Sequence, residues 1–483
     1  LVESGVLALS GGAIGLVLAR WGIAALRPLI PTTVPRADGL GLNPAVVAFT
    51  AVMAIGSGLI FGLVPALRAM HPNLLAALQE SSRAATTSRR ARWLSNVMVV
   101  AEVALALVLA IGAGLLLRTF VHLTSIDPGF RTSGVVALHV ALPDARYAGG
   151  APKRRFFADL LDRLRAVPGF DAVGAVSALP MSPLGVQFEI PFTIDGLEAT
   201  SPSERPRARY RGVMPGYFDV MAIPLRAGRV FDRFDGRDEG PRVAIVNETL
   251  AKRYFGSASP IDRQVKMPMA GDLTIVGVVG DIKHDGLQSM AAPEVFVPYD
   301  RLALSEMQIV VLSNLSIGDV TSAARSALSG IDPALPIAKV SAIEDLVSSS
   351  IAQPRFNMML IIGLALSAAA LAAVGVYGLV TYAVTRRTVE IGLRTALGAN
   401  PARTFRLVVG SALRLVVVGV AAGLAGAVAL SRSIESLLFG VTSLDPQTYV
   451  VAALGLVAVG LAAACLPAAR ASRIDPVRAL RQE

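Results

Sequence analysis

The feature that most limits how this chain can fold is its supply of apolar stretches about 20 residues long, the length a helix needs to cross a bilayer. Those stretches form a repeat, and a repeat governs architecture before any local pattern does. Val409 to Glu483 reads as an apolar span, a short loop, a second span and a basic tail. Leu1 to Glu80 reads the same way. Gly11-Gly12-Ala13-Ile14-Gly15-Leu16 answers Gly419-Val420-Ala421-Ala422-Gly423-Leu424, and Pro65-Ala66-Leu67-Arg68-Ala69 answers Pro467-Ala468-Ala469-Arg470-Ala471. Only the loop between the spans differs, being longer in the first copy. Such repeats in membrane proteins usually pack as two halves around one pathway, so a pseudo-dimer or dimer of halves is expected. Leu1 is not a methionine and the chain opens in mid-pattern, which reads as a fragment lacking its upstream part.

Of 483 residues, 53% are apolar and only 17% charged, a membrane-protein composition. The net charge of +10 resembles a nucleic-acid signal until it is divided by region. Val121 to Ala352 holds 24 basic and 26 acidic residues, whereas the remainder holds 21 basic and 9 acidic. All the excess positive charge therefore flanks apolar spans, the pattern of cytoplasmic loops, and nucleic-acid binding is disfavoured. The single cysteine, Cys465, excludes a disulfide framework and, inside a span, reads as a small packing residue. Four scattered histidines make no metal cluster.

Residues 1–80 supply two spans (Ser4–Ala25 and Val46–Leu67), and 81–95 read as a basic, flexible cytoplasmic linker. Residues 96–120 hold a third span that contains Glu102, a candidate intramembrane polar site. A carboxylate at that depth is costly and raises a proton- or ion-relay hypothesis; a place near the cytoplasmic end, facing a neighbouring helix or the headgroups, is the blander alternative and is favoured. Residues 121–352 have no span and must lie across the membrane from the linker. Strands are expected at Val135–Val140, Phe188–Ile194, Arg242–Val246, Leu273–Val279, Glu294–Val297 and Gln308–Leu312. Helices are expected at Pro152–Val167, Asn247–Phe255 and Asp319–Ile331, giving one or two small α+β subdomains. Residues 353–385 form a long uncharged span that tilts or projects as a stalk. In residues 386–405, Val389, Leu393, Ala396 and Leu397 share one helical face, with Arg386, Arg387, Glu390 and Arg394 elsewhere. That short amphipathic helix is either an interfacial anchor or a lever for a cytoplasmic partner. Residues 406–483 carry two further spans and the basic tail. The expected fold is an α-helical integral membrane protein of about six transmembrane helices with a large α+β extracytoplasmic domain.

No lysine precedes Ser or Thr, so no phosphate-cradling Gly-x-x-x-x-Gly-Lys-Ser/Thr loop exists in the chain. Asp281, His284 and Asp285 offer a metal site short of a fourth ligand, but a strand ending in an Asp-Gly turn explains them with less. Arg205, Arg207, Arg209 and Arg211 alternate as one face of a strand and read as a solvated edge that resists mispairing. No nucleophile–base pair appears, no cofactor is implied, and an enzyme is not expected.

The order of parts is distinctive. A basic linker, a span with Glu102, a large α+β domain and a long span lead to Glu390-Ile391-Gly392-Leu393-Arg394-Thr395-Ala396-Leu397-Gly398-Ala399, two more spans and Pro467-Ala468-Ala469-Arg470-Ala471. It resembles the MacB/FtsX permeases of ABC transporters (type VII, the mechanotransmission class). Tyr217-Phe218-Asp219-Val220-Met221, Ala244-Ile245-Val246-Asn247-Glu248 and Val276 to Gly286 are similar to the periplasmic core of the duplicated "orphan" permeases. The resemblance implies a bacterial inner-membrane protein with a periplasmic domain. It further implies a separate ABC ATPase as partner, an ATPase-contacting helix at Glu390, Ile391, Gly392, Arg394, Leu397 and Gly398, and a periplasmic adaptor as a candidate partner. It also marks the chain as N-terminally truncated, with residues 1–80 the last two spans of a first unit. The leading expectation is a permease subunit moving a drug, peptide, lipid or lipoprotein. A membrane scaffold that regulates cell-wall enzymes is the alternative, and a proton-driven transporter using Glu102 is a third.

Overall fold

The computed structural model describes residues 2–27, 41–69, 80–194, 205–232, 234–236, 240–267, 271–386 and 400–472. The chain divides into two compact units, residues 1–124 with 352–483, and residues 125–351.

In the first unit, α1 (Val2–Leu26) and α2 (Pro44–Ala69) pack on each other, with Gly12 against the Ala54 methyl. α3 (Glu80–Ser125) follows. Its 46 residues are about 69 Å of helix at 1.5 Å per residue. Residues 81–95 are therefore helical rather than a flexible joint. The Ala and Arg of that stretch are strong helix formers, and an established span supplies the nucleus from which they propagate.

The second unit, in chain order, comprises β1 (Val135–Ala141), α4 (Gly150–Arg165), β2 (Phe170–Val176), β3 (Phe188–Pro191), β4 (Thr193–Ile194) and β5 (Arg207–Met214). It continues with α5 (Tyr217–Val220), β6 (Leu225–Gly228), β7 (Val243–Asn247), α6 (Glu248–Phe255), β8 (Gln264–Met267) and β9 (Gly271–Val279). β10 (Glu294–Pro298), β11 (Glu306–Ser313), α7 (Ile317–Ser329), β12 (Lys339–Ala342) and α8 (Ile343–Ser350) complete it. The strands form one twelve-stranded mixed sheet, ordered β12-β1-β11-β2-β5-β10-β7-β9-β8-β4, with β3 on β5 and β6 on β9.

Alternation along each strand builds the two faces. Val136, Leu138 and Val140 of β1 join Ile309 and Val311 of β11 under α4 and α7. Val135, Ala137 and Val310 point the other way, onto Tyr217, Phe218, Ile343 and Leu346 of α5 and α8. A further core, under α6, joins Tyr210, Ala244, Val246, Leu250, Ile275 and Val295. The expected helix start at Asn247 is an N-cap: its side chain accepts from the Leu250 amide at 3.1 Å. The expected strand Phe188–Ile194 is split by Phe192 into β3 and β4, which pair with different partners.

The first unit then resumes. α9 (Ala352–Arg386), α10 (Pro401–Ile434) and α11 (Pro446–Ala471) share one apolar core with α3. Among the described residues, five helices are long and apolar enough to cross a membrane, and Pro44–Leu59 is a shorter apolar segment within α2.

Candidate functional site

In the membrane unit, α3 is the innermost span. Val103, Ala106, Leu107, Ile111 and Leu115 are all exposed by 1% or less, and most recur every four residues as one helical face. Two neighbours, α9 and α10, reach that helix through glycines. A Cβ on Gly419 of α10 would lie 2.7 Å from Val103 Cβ, and one on Gly423 would lie 2.8 Å from the Ala104 carbonyl oxygen. Only a residue without a side chain permits that approach, the small-residue packing that membrane helices use in place of a hydrophobic drive. In the first copy of the repeat, the corresponding Gly11 and Gly15 have no atom within 4 Å.

Glu102 faces α9. One of its carboxylate oxygens occupies the space that a side chain on Gly375 would fill, and that oxygen is sheltered without a hydrogen-bond partner. The structure thus places Glu102 within a helix–helix contact. Near the Ser125 end of α3, Arg118 donates to Asp445 and Gln447. Asp445 in turn caps α11, accepting from the Thr448 amide at 2.9 Å and its hydroxyl at 2.6 Å. Towards the far end of α11, Arg470 donates to the Tyr377 hydroxyl of α9 at 3.0 Å. Polar ties therefore pin both ends of α11 to neighbouring spans. Cys465, expected as a small packing residue, is exposed on α11. A lone small apolar residue in a span carries no signal of which way it faces.

Glu390, Ile391, Gly392, Arg394, Leu397 and Gly398 lie outside the described residues. The described part of their surroundings is α9, which leads into them, and α10, which starts after Asn400; that side chain caps α10 by accepting from the Ala402 amide at 2.9 Å.

In the outer unit the arginine row is the principal correction. β5 is a central strand, flanked by β2, β3 and β10, not a solvated edge. Arg211 is 1% exposed; it donates to the Ala178 carbonyl at 3.0 Å, and its Nε lies 3.5 Å from Glu294 Oε1. Glu294 is equally buried, and His284 Nε2 stands 3.0 Å from the same oxygen. Burial opposes the charge on Glu294, yet His284 and Arg211 together hold its carboxyl below the usual range. The alternation of four arginines was legible; that the strand is central, with a carboxylate at Glu294 to meet one of them, required the parallel β5–β10 pairing.

The three residues of the supposed metal site are spent separately. Asp281 accepts from the Thr249 amide and hydroxyl, each at 2.8 Å, at the start of α6. His284 pairs with Glu294, and Asp285 with Arg209. Among the described residues, no group of three His, Cys, Asp or Glu side chains is placed to hold a metal.

A packed bundle of apolar spans joined in the chain to a large α+β domain fits a multi-pass membrane protein. Two family models agree: residues 40–331 match the MacB-like periplasmic core domain, and residues 362–476 the FtsX-like permease C-terminal domain. The chain belongs to the MacB/FtsX family of ABC transporter permeases. It is 28% identical over 324 residues to the uncharacterized ABC transporter permease YknZ of Bacillus subtilis, covering 62% of this chain and 76% of that protein. It is 27% identical over 291 residues to the macrolide export ATP-binding/permease protein MacB 1/2 of Paracoccus denitrificans, covering 57% of this chain but 42% of that one. The chain thus spans less than half the length of that MacB relative. Solved outer domains of YknZ and of MacB from Actinobacillus actinomycetemcomitans align over 43% and 47% of this chain and 98% and 97% of theirs. Their identities are 17% and 14%, with TM-scores of 0.29 and 0.32.

Proposed function

We propose that the chain is the permease subunit of an ABC-type exporter or extractor in a bacterial inner membrane, moved by a separate ATPase that binds and hydrolyses the ATP. The observation that carries this reading is where the outer domain enters the chain. It is inserted between α3, the most buried span, and α9, whose 35 residues are about 52 Å of unbroken helix. A displacement at the cytoplasmic end of such a helix moves its other end, because a helix resists compression far better than a loop. Residues 386–405 are the proposed receiver, with Glu390, Ile391, Gly392, Arg394, Leu397 and Gly398 meeting the ATPase. The load is a drug, peptide, lipid or lipoprotein, handed on through a periplasmic adaptor. Within this reading Glu102 is a packing carboxyl rather than a proton relay.

Leu397→Asp tests it. With the partner ATPase co-expressed, the variant should lose stimulated ATP hydrolysis and transport, while the outer domain keeps its native exchange-protected core. Wild-type coupling in that variant would sink the proposal. Capture of a cell-wall hydrolase by the full chain, with no cargo moved, would instead favour the regulatory-scaffold alternative.

A further inference from the structure

The charge cluster of the outer domain has no part in the transmission scheme, and its composition is unusual. Three ionisable side chains, Arg211, His284 and Glu294, are each at least 97% buried and meet at one point. They come from three places: β5, β10, and the irregular segment 280–293 that joins β9 to β10. We propose that segment 280–293 is an acid-released strap, seated across the β5–β10 junction while His284 is neutral and unseated when it gains a proton.

The segment is held by two kinds of contact. Ile282 and Leu287 are buried apolar anchors, 2% and 4% exposed, and these do not titrate. The remaining hold is polar. His284 Nε2 stands 3.0 Å from Glu294 Oε1, and the His284 carbonyl accepts from the Met181 amide at 2.8 Å.

The charges around the ring decide what protonation does. From β10 it faces Glu294; from β5 it faces Arg211 and, at longer range, Arg209; from α5 the buried Tyr217 hydroxyl faces the Arg211–Glu294 pair. On its own segment, Asp285 is taken by Arg209, Asp281 by Thr249, and Lys283 by the Ser289 carbonyl. One buried carboxylate thus already balances one buried guanidinium. A proton on His284 adds a second buried cation with no second anion, which is costly in a low-dielectric interior.

The sign of the effect follows. Burial, opposed in part by Glu294 and reinforced by Arg211 and Arg209, holds the imidazole pKa below its ordinary value. The unfolded or unseated segment binds the proton more readily, so the stabilisation is fully present above about pH 6.5 and is lost as the pH falls below it. Glu294 has a lowered pKa as well, so its contribution fails in the same direction but in the more acidic carboxylate range. A domain on the outer side of a membrane meets the pH of its surroundings, so such a strap reports that pH to the β5–β10 junction.

Hydrogen exchange on the full chain in detergent, corrected for the intrinsic pH dependence of exchange, tests this at pH 7.5, 6.5 and 5.5. Exchange in 280–293 should rise by up to about tenfold between pH 7.5 and 5.5, most of it below the free histidine value of about 6.5. α7 (Ile317–Ser329) should not change. His284→Gln keeps an amide donor for Glu294 and cannot titrate, so its profile should be flat. An unchanged strap in the wild type, a rise shared equally by α7, or the wild-type profile in His284→Gln would each overturn the proposal. If His284→Gln does not fold, the wild-type comparison of 280–293 with α7 decides alone.

Discussion

Gly423→Ala is the sharpest test of the membrane core. Its added Cβ would stand 2.8 Å from the Ala104 carbonyl oxygen, 2.9 Å from Leu107 Cβ and 3.1 Å from Ala104 Cα. Two of those atoms belong to the α3 backbone and cannot rotate aside. Contacting carbons settle at about 3.5–4.0 Å, so α10 must retreat from α3 by roughly 0.5–1 Å. Overpacking of that kind costs about 1–3 kcal/mol. The raw effect is blurred because Gly→Ala inside a helix gains up to about 1 kcal/mol of propensity. Gly455 of α11 removes the blur, since a Cβ there meets nothing within 4 Å and Gly455→Ala receives the same gain. The difference between the two variants is therefore the packing cost alone, about 1–3 kcal/mol against Gly423→Ala. Unfolding both in mixed micelles by titration with a denaturing detergent, followed by far-ultraviolet circular dichroism, measures it. Two variants that agree within about 0.5 kcal/mol would refute the close contact and, with it, a bundle fixed around α3.

The contact between Glu102 and α9 is softer, because the atom that meets Gly375 is the far end of a flexible side chain and can swing aside. Gly375→Ala should therefore change stability by less than about 1 kcal/mol in the same titration, and a loss as large as that of Gly423→Ala would show that the Glu102 carboxylate is held in place. In the outer domain, Asn247→Ala removes the acceptor for the Leu250 amide at 3.1 Å and the Glu294 amide at 2.9 Å, and the donor to the Ala292 carbonyl at 2.8 Å. It should lower thermal stability by about 2–4 kcal/mol, with exchange rising first in α6, and an unchanged melt would contradict the cap.

Which of these features could be read from the chain follows from the range of the interaction that makes them. The spans, the cap at Asn247 and the strand at Val135–Ala141 are local: hydropathy over ~20 residues, one side chain before a helix, and alternation suffice. β2 went unread because Gly174 interrupts its pattern. The glycine is there because α5 lies on the strand, where a Cβ would come within 2.4 Å of the Tyr217 amide nitrogen. β5 was read as a strand but placed wrongly. A row of arginines argues for water only when no carboxylate waits in the fold, and Glu294 lies more than 80 residues further along the chain. The same reasoning separates two sets of glycines that the repeat makes look equivalent. Gly419 and Gly423 press on α3, whereas Gly11 and Gly15 meet nothing within 4 Å. A glycine pair in a span thus marks where a helix can approach, and only the packed fold tells which pair a neighbour has taken.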